Sequence, residues 1–413
     1  MKKIKLISIF LFTSIAVMAQ GGSIYSSFGI GDLSSSYSAR RLAIGEMGIA
    51  LSDVDFLNSL NPAGWNSLRL TRFEFSLNYL GNNIKSNSGS AFYSKTLING
   101  MMLGFPIEHD LGISLTLGMV PYSQVGYEIK SRIDDPIVGQ YNFSDKGEGG
   151  IQKLFIGTSY RLPFDFSLGF SFDYYTGLIK RNLIADFDPT SSFGDASFEK
   201  NMNYHGISLT SGIISSDISK LFGESDFKDF RVGLVYTPSV TLSVDSVNNS
   251  TSAIGTITTS TGSIKNNLPY KIGVGASFKY TNNYAFTIDY LYQPFSEYTS
   301  NGKKDLNLQN YYKFGLGFEY KDVEIRSNEF WDHVAYRAGI SYEQSPFKIN
   351  GTGVKQYSVY CGMSLPISYD NSIDFAFQYG RRGTTDNNLL LENIFKFTAT
   401  ISIGEFWFLR TDR

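Results

Sequence analysis

The side chains of this sequence best suited to covalent or metal chemistry are three histidines, one cysteine and a few acidic pairs, and their spacing assembles none of that chemistry. His109, His205 and His333 lie far apart, without a second ligand at zinc spacing. His205 and Ser208 pair a base with a hydroxyl, but residues three apart on a strand point to opposite faces. Asp53 with Asp55, and Asp134 with Asp135, lack further oxygen ligands at calcium-loop intervals, so solvated loops account for them. No Gly-x-Ser-x-Gly elbow or phosphate-binding glycine loop occurs, and Phe28-Gly29-Ile30-Gly31 reads as a flexible turn. The sequence therefore reads as a non-enzyme that needs no cofactor or metal. Its sole cysteine, Cys361, excludes an intrachain disulfide framework.

Charge narrows the partners further. The formal net charge is −2, and no basic block marks a nucleic-acid surface. Arg40-Arg41, Lys303-Lys304 and Arg381-Arg382 are isolated pairs, read as solvated loop charge.

The elements that carry these residues read as exported strands. Lys2, Lys3 and Lys5 precede an apolar run from Leu6 to Val17, and Val17-Met18-Ala19 fits the small-residue cleavage rule. Residues 1–19 are thus expected to be a signal peptide, with Gln20 the first mature residue. The run is too short for a membrane helix, which takes about 20 residues. A lipoprotein would need Cys at the cleavage site, and Cys361 lies elsewhere.

Beyond it, side-chain alternation has period two. Tyr270, Ile272, Val274, Ala276, Phe278 and Tyr280 share one face; Lys271, Gly273, Gly275, Ser277 and Lys279 share the other. Tyr312, Phe314, Leu316, Phe318 and Tyr320 repeat the scheme against Lys313, Gly315, Gly317 and Glu319. A tyrosine at each end of an apolar face, roughly 20 Å apart at the usual strand rise and tilt, matches a membrane band with aromatic girdles. The small opposite face suits a crowded or water-filled lumen. The chain carries 27 Tyr, 33 Phe and 40 Gly but 11 Pro, which favours such a sheet over a soluble sandwich.

About 14 such segments run from Arg72 onward, so the expected fold is all-β: a transmembrane antiparallel up-and-down β-barrel over 72–413. Long polar stretches at 130–150, 180–202 and 248–267 read as outer loops. Short turns such as Glu108-His109-Asp110 and Thr281-Asn282-Asn283 read as periplasmic, which puts both termini in the periplasm. Within the last of these loops, residues 250–263 are low-complexity Ser and Thr. Glu405-Phe406-Trp407-Phe408 offers a terminal signal by which the last strand would meet barrel-assembly machinery.

Residues 20–71 do not read as a strand. Gly45, Gly48 and Ala50 would allow close backbone approach in a narrow lumen, and Asn61-Pro62-Ala63-Gly64 is a turn former. On that tetrapeptide, the Gly45-Glu46-Met47-Gly48-Ile49-Ala50 stretch before it and the strands after it, the chain resembles the FadL-like family of outer-membrane transporters for hydrophobic compounds. The resemblance implies that residues 20–71 fold into the lumen as a hatch, with Asn61, Pro62, Ala63 and Gly64 as its motif and Gly45, Gly48 and Ala50 packing it. It implies passive uptake of small hydrophobic molecules such as long-chain fatty acids, and sideways exit through an inward kink of the third strand into outer-membrane lipid. Pro121 is the gate candidate there, although Pro238 and Pro294 sit at comparable heights. Phe28, Leu33, Leu291 and Met101 or Met102 are pocket candidates on an otherwise polar-looking lumen face. The alternative within the same resemblance is a barrel of a protein-secretion system that holds cargo proteins.

Overall fold

In the computed structural model the wall is a closed antiparallel barrel of fourteen strands, with the apolar side of each strand turned outward. The structure describes residues 22–406 except 88, 189–190, 192, 224–225, 323–328, 369 and 387–388. The expected signal peptide and the Trp407-Phe408 signal lie outside the described residues.

The strands are β1 (Thr71–Lys85), β2 (Ser90–Glu108), β3 (Ile113–Asp135), β4 (Gly139–Arg161), β5 (Ser167–Phe187) and β6 (Ala196–Ile214). β7 is Phe227–Thr237 continued by Val240–Ser252, and β8 is Gly255–Leu268 continued by Lys271–Tyr280. Then come β9 (Tyr284–Gln293), β10 (Tyr311–Tyr320), β11 (Ala335–Ile349), β12 (Thr352–Pro366), β13 (Ser372–Gly383) and β14 (Leu391–Glu405). The breaks in β7 and β8 hold Pro238 and Pro269, which supply no ladder donor. Pairing of β14 with β1, from Leu391↔Lys85 to Glu405↔Thr71, closes the barrel.

Register explains the girdles. Tyr284, Tyr320 and Tyr336 are direct cross-strand neighbours at the lower rim. Tyr292 and Tyr312 pair at the upper end of the same strands. Between them Phe286 pairs with Phe318, and Ile288, Leu316 and Ile340 form one row. Ile288, Phe314 and Ile340 are among many exposed apolar side chains of the outer face, which is what a bilayer covers.

The three expected outer loops are a correction. Residues 130–150, 180–202 and 248–267 are mostly strand: β3–β4, β5–β6 and β7–β8 continue upward as hairpins with short tips. A strand solvated on both faces carries no apolar alternation, so periodicity misses it, although its pairing simply extends the ladder below. At 23 residues each, β3 and β4 reach roughly 60 Å at a usual tilt, against about 25 Å for a membrane band. One side of the barrel therefore stands well above the other.

Candidate functional site

Residues 22–70 lie inside the barrel, and the wall is built to receive them. Ser38 caps the short helix Ala39–Ala43, and Asn61 caps the 3-10 turn Pro62–Ser67, its side chain accepting from Ala63 N–H at 3.0 Å. The Asn61 amide also donates to Ile49 O at 2.9 Å and, at 3.4 Å, to Ile213 O on β6 and Leu234 O on β7. One fully buried side chain thus ends the turn, holds the preceding segment and ties both to the wall. Pro62 and Ala63 fit because Gly169 and Gly212 face them; a Cβ on either glycine would overlap the tetrapeptide. Gly64 has the same reason: its Cβ would stand 2.7 Å from Leu51 O.

The Ile44–Ala50 stretch uses the same device. Gly45 and Gly48 have φ of 84° and 126°, and Glu46 between them 63°. Opposite stand the small wall residues that sequence alternation placed on the lumen side. A Cβ on Gly315, Gly317 or Gly273 would come within 2.7 Å of Met47, Ile44 or Ile49 respectively. Buried Asp289 accepts from Gly48 N–H at 3.0 Å and Ile49 N–H at 2.9 Å. The glycines make room for a packed segment rather than for water.

Charge pins this segment at two heights, near the lower rim through Glu319 and Arg337 and near the upper strand ends through Lys313 and Arg382. Arg40 binds Asp53 at 2.6 Å and Glu319 at 3.1 Å; Arg41 shares Asp53 at 2.9 Å; Arg337 joins Glu319 at 2.5 Å. Glu46 pairs with Lys313 and, at 2.7 Å, with Lys396. Burial would raise the Glu46 carboxyl, but those two lysines hold it down to about 2. Asp53 is likewise pulled below the ordinary carboxylate range against its burial, by Arg40 and Arg41. Arg382 takes Asp32 through two bonds of 2.9 and 3.1 Å and Glu392 at 2.7 Å.

These contacts correct several expectations. Arg40, Arg41 and Arg382 are buried lumen anchors, not solvated loop charge; Asp53 is the counter-ion of the first two, and Asp32 and Glu392 of the third. Lys303-Lys304 and Asp134 are exposed as expected. His205 points outward and Ser208 inward, so they form no pair. No spacing in the sequence signals this network, because it joins the N-terminal segment to strands far from it in the chain.

Beside these polar and charged groups, which fit the polar face read from the strands, the upper lumen also holds an apolar chamber. Tyr122, Ile151, Tyr175, Tyr204, Leu242 and Leu291 are buried in one cluster with Tyr25, Ile30, Met47 and Ile49 of the plug. Phe28 and Leu33 pack against it, and the Phe28 and Phe347 rings are 6.1 Å apart. The candidates Phe28, Leu33 and Leu291 thus share one chamber. Met102 belongs instead to a lower cluster with Trp65 and Phe155, and Met101 faces outward.

Beside this chamber the wall comes apart. β2 and β3 pair from Glu108↔Ile113 to Met101↔Met119 and no further. Both strands bulge there: β2 near Asn99, opposite Ser76/Leu77, and β3 at Tyr122, just after Pro121. From Val120 to Tyr127 every residue except half-buried Gln124 is buried, so alternation is lost and both faces of β3 lie inside. The edge β3 turns away from β2 is taken by the plug. Asp32↔Gln124 and Leu33↔Ser123 pair, Ser34 N–H donates to Tyr122 O at 3.0 Å, and Ser26 Oγ accepts from Gly126 N–H at 3.0 Å. Gly22 threads the break: its Cβ would stand 2.5 Å from Gly126 O on β3 and 3.6 Å from Lys95 Cε on β2. Just below, an apolar groove of about 430 Å³ opens on the outer face among Met101, Leu117, Met119, Leu154 and Phe172. Pro238 and Pro294 mark only the end of a strand segment and the start of a short turn.

The family model BamG matches residues 1–412. The chain belongs to the BamG family. Its fold is that of FadL-type barrels. The Pseudomonas putida toluene transporter TodX is 16% identical with TM-score 0.61 over 92% of this chain and 100% of that one. The Ralstonia pickettii toluene transporter TbuX is 14% identical with TM-score 0.60 over 91% and 99%. A Pseudomonas aeruginosa FadL homologue is 12% identical with TM-score 0.53 over 85% and 95%. No curated protein matches the sequence.

Proposed function

We propose that this BamG-family barrel is an outer-membrane channel for passive uptake of small hydrophobic compounds, with residues 22–70 as its hatch. The ligand enters at the tall rim and exchanges for Tyr25, Phe28 and Leu33 in the apolar chamber. It then leaves sideways between β2 and β3 into lipid. The observation that carries this reading is the inward course of β3 at Val120–Tyr127, which brings chamber side chains to a place where the wall is unpaired. The hatch moves only if the ligand favours the displaced state over the seated one, and apolar contact worth about 25 cal/mol per Å² supplies that preference. TodX and TbuX, toluene transporters of the same fold, support the substrate class.

The test is binding of N-phenylnaphthylamine, a fluorescent apolar probe, to the detergent-purified barrel. Leu291→Glu places a charge in the chamber and should weaken binding at least tenfold. Competition by toluene and by a long-chain fatty acid then separates the two ligand classes. Unchanged binding in Leu291→Glu sinks the reading.

A second reading has its own support. The family name BamG points to outer-membrane assembly, and the buried ion pairs of Arg40 near the lower rim and of Arg382 near the upper strand ends tie the lumen segment to the wall as a purely structural barrel would need. In that reading the barrel associates with barrel-assembly machinery or holds cargo for secretion. Stable co-purification with the assembly barrel, together with failure to bind the apolar probe, would favour it.

A further inference from the structure

The upper parts of β3 to β8 form a six-stranded sheet standing above the membrane band, paired through Ile133↔Tyr141, Asn142↔Asp186, Ile184↔Ser197, Phe198↔Ser250 and Thr251↔Thr256. Among the described residues both of its edges are largely unpaired, and they differ in chemistry. The β3 edge carries Glu128, Lys130, Arg132 and Asp134, charges of the kind that block strand addition. The β8 edge runs from Gly255 to Ile264 as Gly-Thr-Ile-Thr-Thr-Ser-Thr-Gly-Ser-Ile, with no charge and no proline. Its side chains from Thr256 to Ser260 are exposed on both faces.

The lower end of that same edge already accepts a strand. Thr299 and Ser300 pair with Asn267 and Asn266, and Asn301 N–H donates to Lys265 O at 2.8 Å. Above this point, past a bulge between Ser260 and Ser263, the free N–H and C=O groups continue to Gly255 with no occupant from this chain among the described residues. One face adds side-chain recognition. Ile257, Ser250, Phe198 and Leu183 form one row across the strands on the same face, and with Phe143 they line a shallow groove of about 490 Å³.

We propose that the Gly255–Ile264 edge is a docking site for an extended segment of a second protein, which adds as a further strand. The segment it fits is uncharged, with apolar residues at alternate positions toward Ile257 and Phe198 and small polar residues on the other side. The chain's own use of Asn266–Asn267 and the lack of edge charges select this occupant. The inference does not depend on what crosses the membrane.

The experiment uses the full barrel in detergent and a fluorophore-labelled, end-capped nonapeptide of alternating Val and Thr. Anisotropy should show saturable binding, and amide exchange of residues 255–264 should slow when the peptide is bound. Thr258→Lys with Ser260→Lys puts charges on this edge without removing a backbone donor, and should weaken binding at least tenfold. Retained heat-modifiable gel mobility shows that the variant barrel is folded. Lys130→Thr with Arg132→Thr on the opposite edge should change nothing. Equal binding by the lysine variant, or protection at 128–134 instead, overturns the proposal. So does self-association of the barrel that the lysine pair abolishes, since the occupant would then be a second copy.

Discussion

At the scale of single residues the plug is held by polar atoms that have no substitute nearby. Asn61 ends one turn, holds Ile49 and reaches two wall strands, so Asn61→Ala should lower hatch stability by about 1–2 kcal/mol. Faster amide exchange at Ile49 and Ala63, with the barrel wall unchanged, is the expected readout. Gly317→Val tests the cradle: a branched side chain where a Cβ already meets Ile44 at 2.6 Å should displace residues 44–50, seen as new protease cleavage there. Glu46 sets an acid limit. Its folded value of about 2 lies below the ordinary 4.5, so its contribution is complete above 4.5 and fades as pH falls toward 2. Hatch exchange attributable to Glu46 should therefore be flat from pH 7 to 5 and rise below about 4. Lys396→Met raises the folded value toward the ordinary one and should therefore shrink that rise.

At the scale of elements, the sequence was readable wherever one face of a strand met lipid. Tyr312 to Tyr320 and Tyr270 to Tyr280 declare their strands because apolar and small residues alternate. The upper halves of β4 and β5 do not, since Asn142, Lys146 and Lys180 meet water and the ladder alone keeps them extended. The plug motif was legible as a local turn, Asn61-Pro62-Ala63-Gly64. Its receptors Gly169 and Gly212 were not, because that contact depends on how the barrel closes. Arg40, Arg41 and Arg382 are not legible as anchors for the same reason: exposure is not a property of a dipeptide. The bulge at Tyr122 also has a consequence that can be measured. Deleting Tyr122 should restore alternation and let β3 pair further along β2, which predicts slower amide exchange at Ser94–Asn99 and weaker probe binding.

At the scale of the whole molecule, the proposed channel joins a filled lumen, an apolar upper chamber and a broken wall into one asymmetric path. In that proposal water and ions meet a packed plug, while an apolar solute meets side chains continuous with the gap. A barrel lacking residues 22–65 should consequently show steady ion conductance in planar bilayers, where the intact chain shows little. The central claim is the sideways route, and it is tested by closing it. In a Cys361→Ser background, Lys95→Cys and Gly126→Cys place thiols on β2 and β3 across the gap. The readout is transfer of N-phenylnaphthylamine into the lipid of proteoliposomes before and after bridging with a short bis-maleimide. Transfer should fall at least tenfold on bridging and stay near wild type in either single-cysteine control. Undiminished transfer through the bridged barrel would contradict the account.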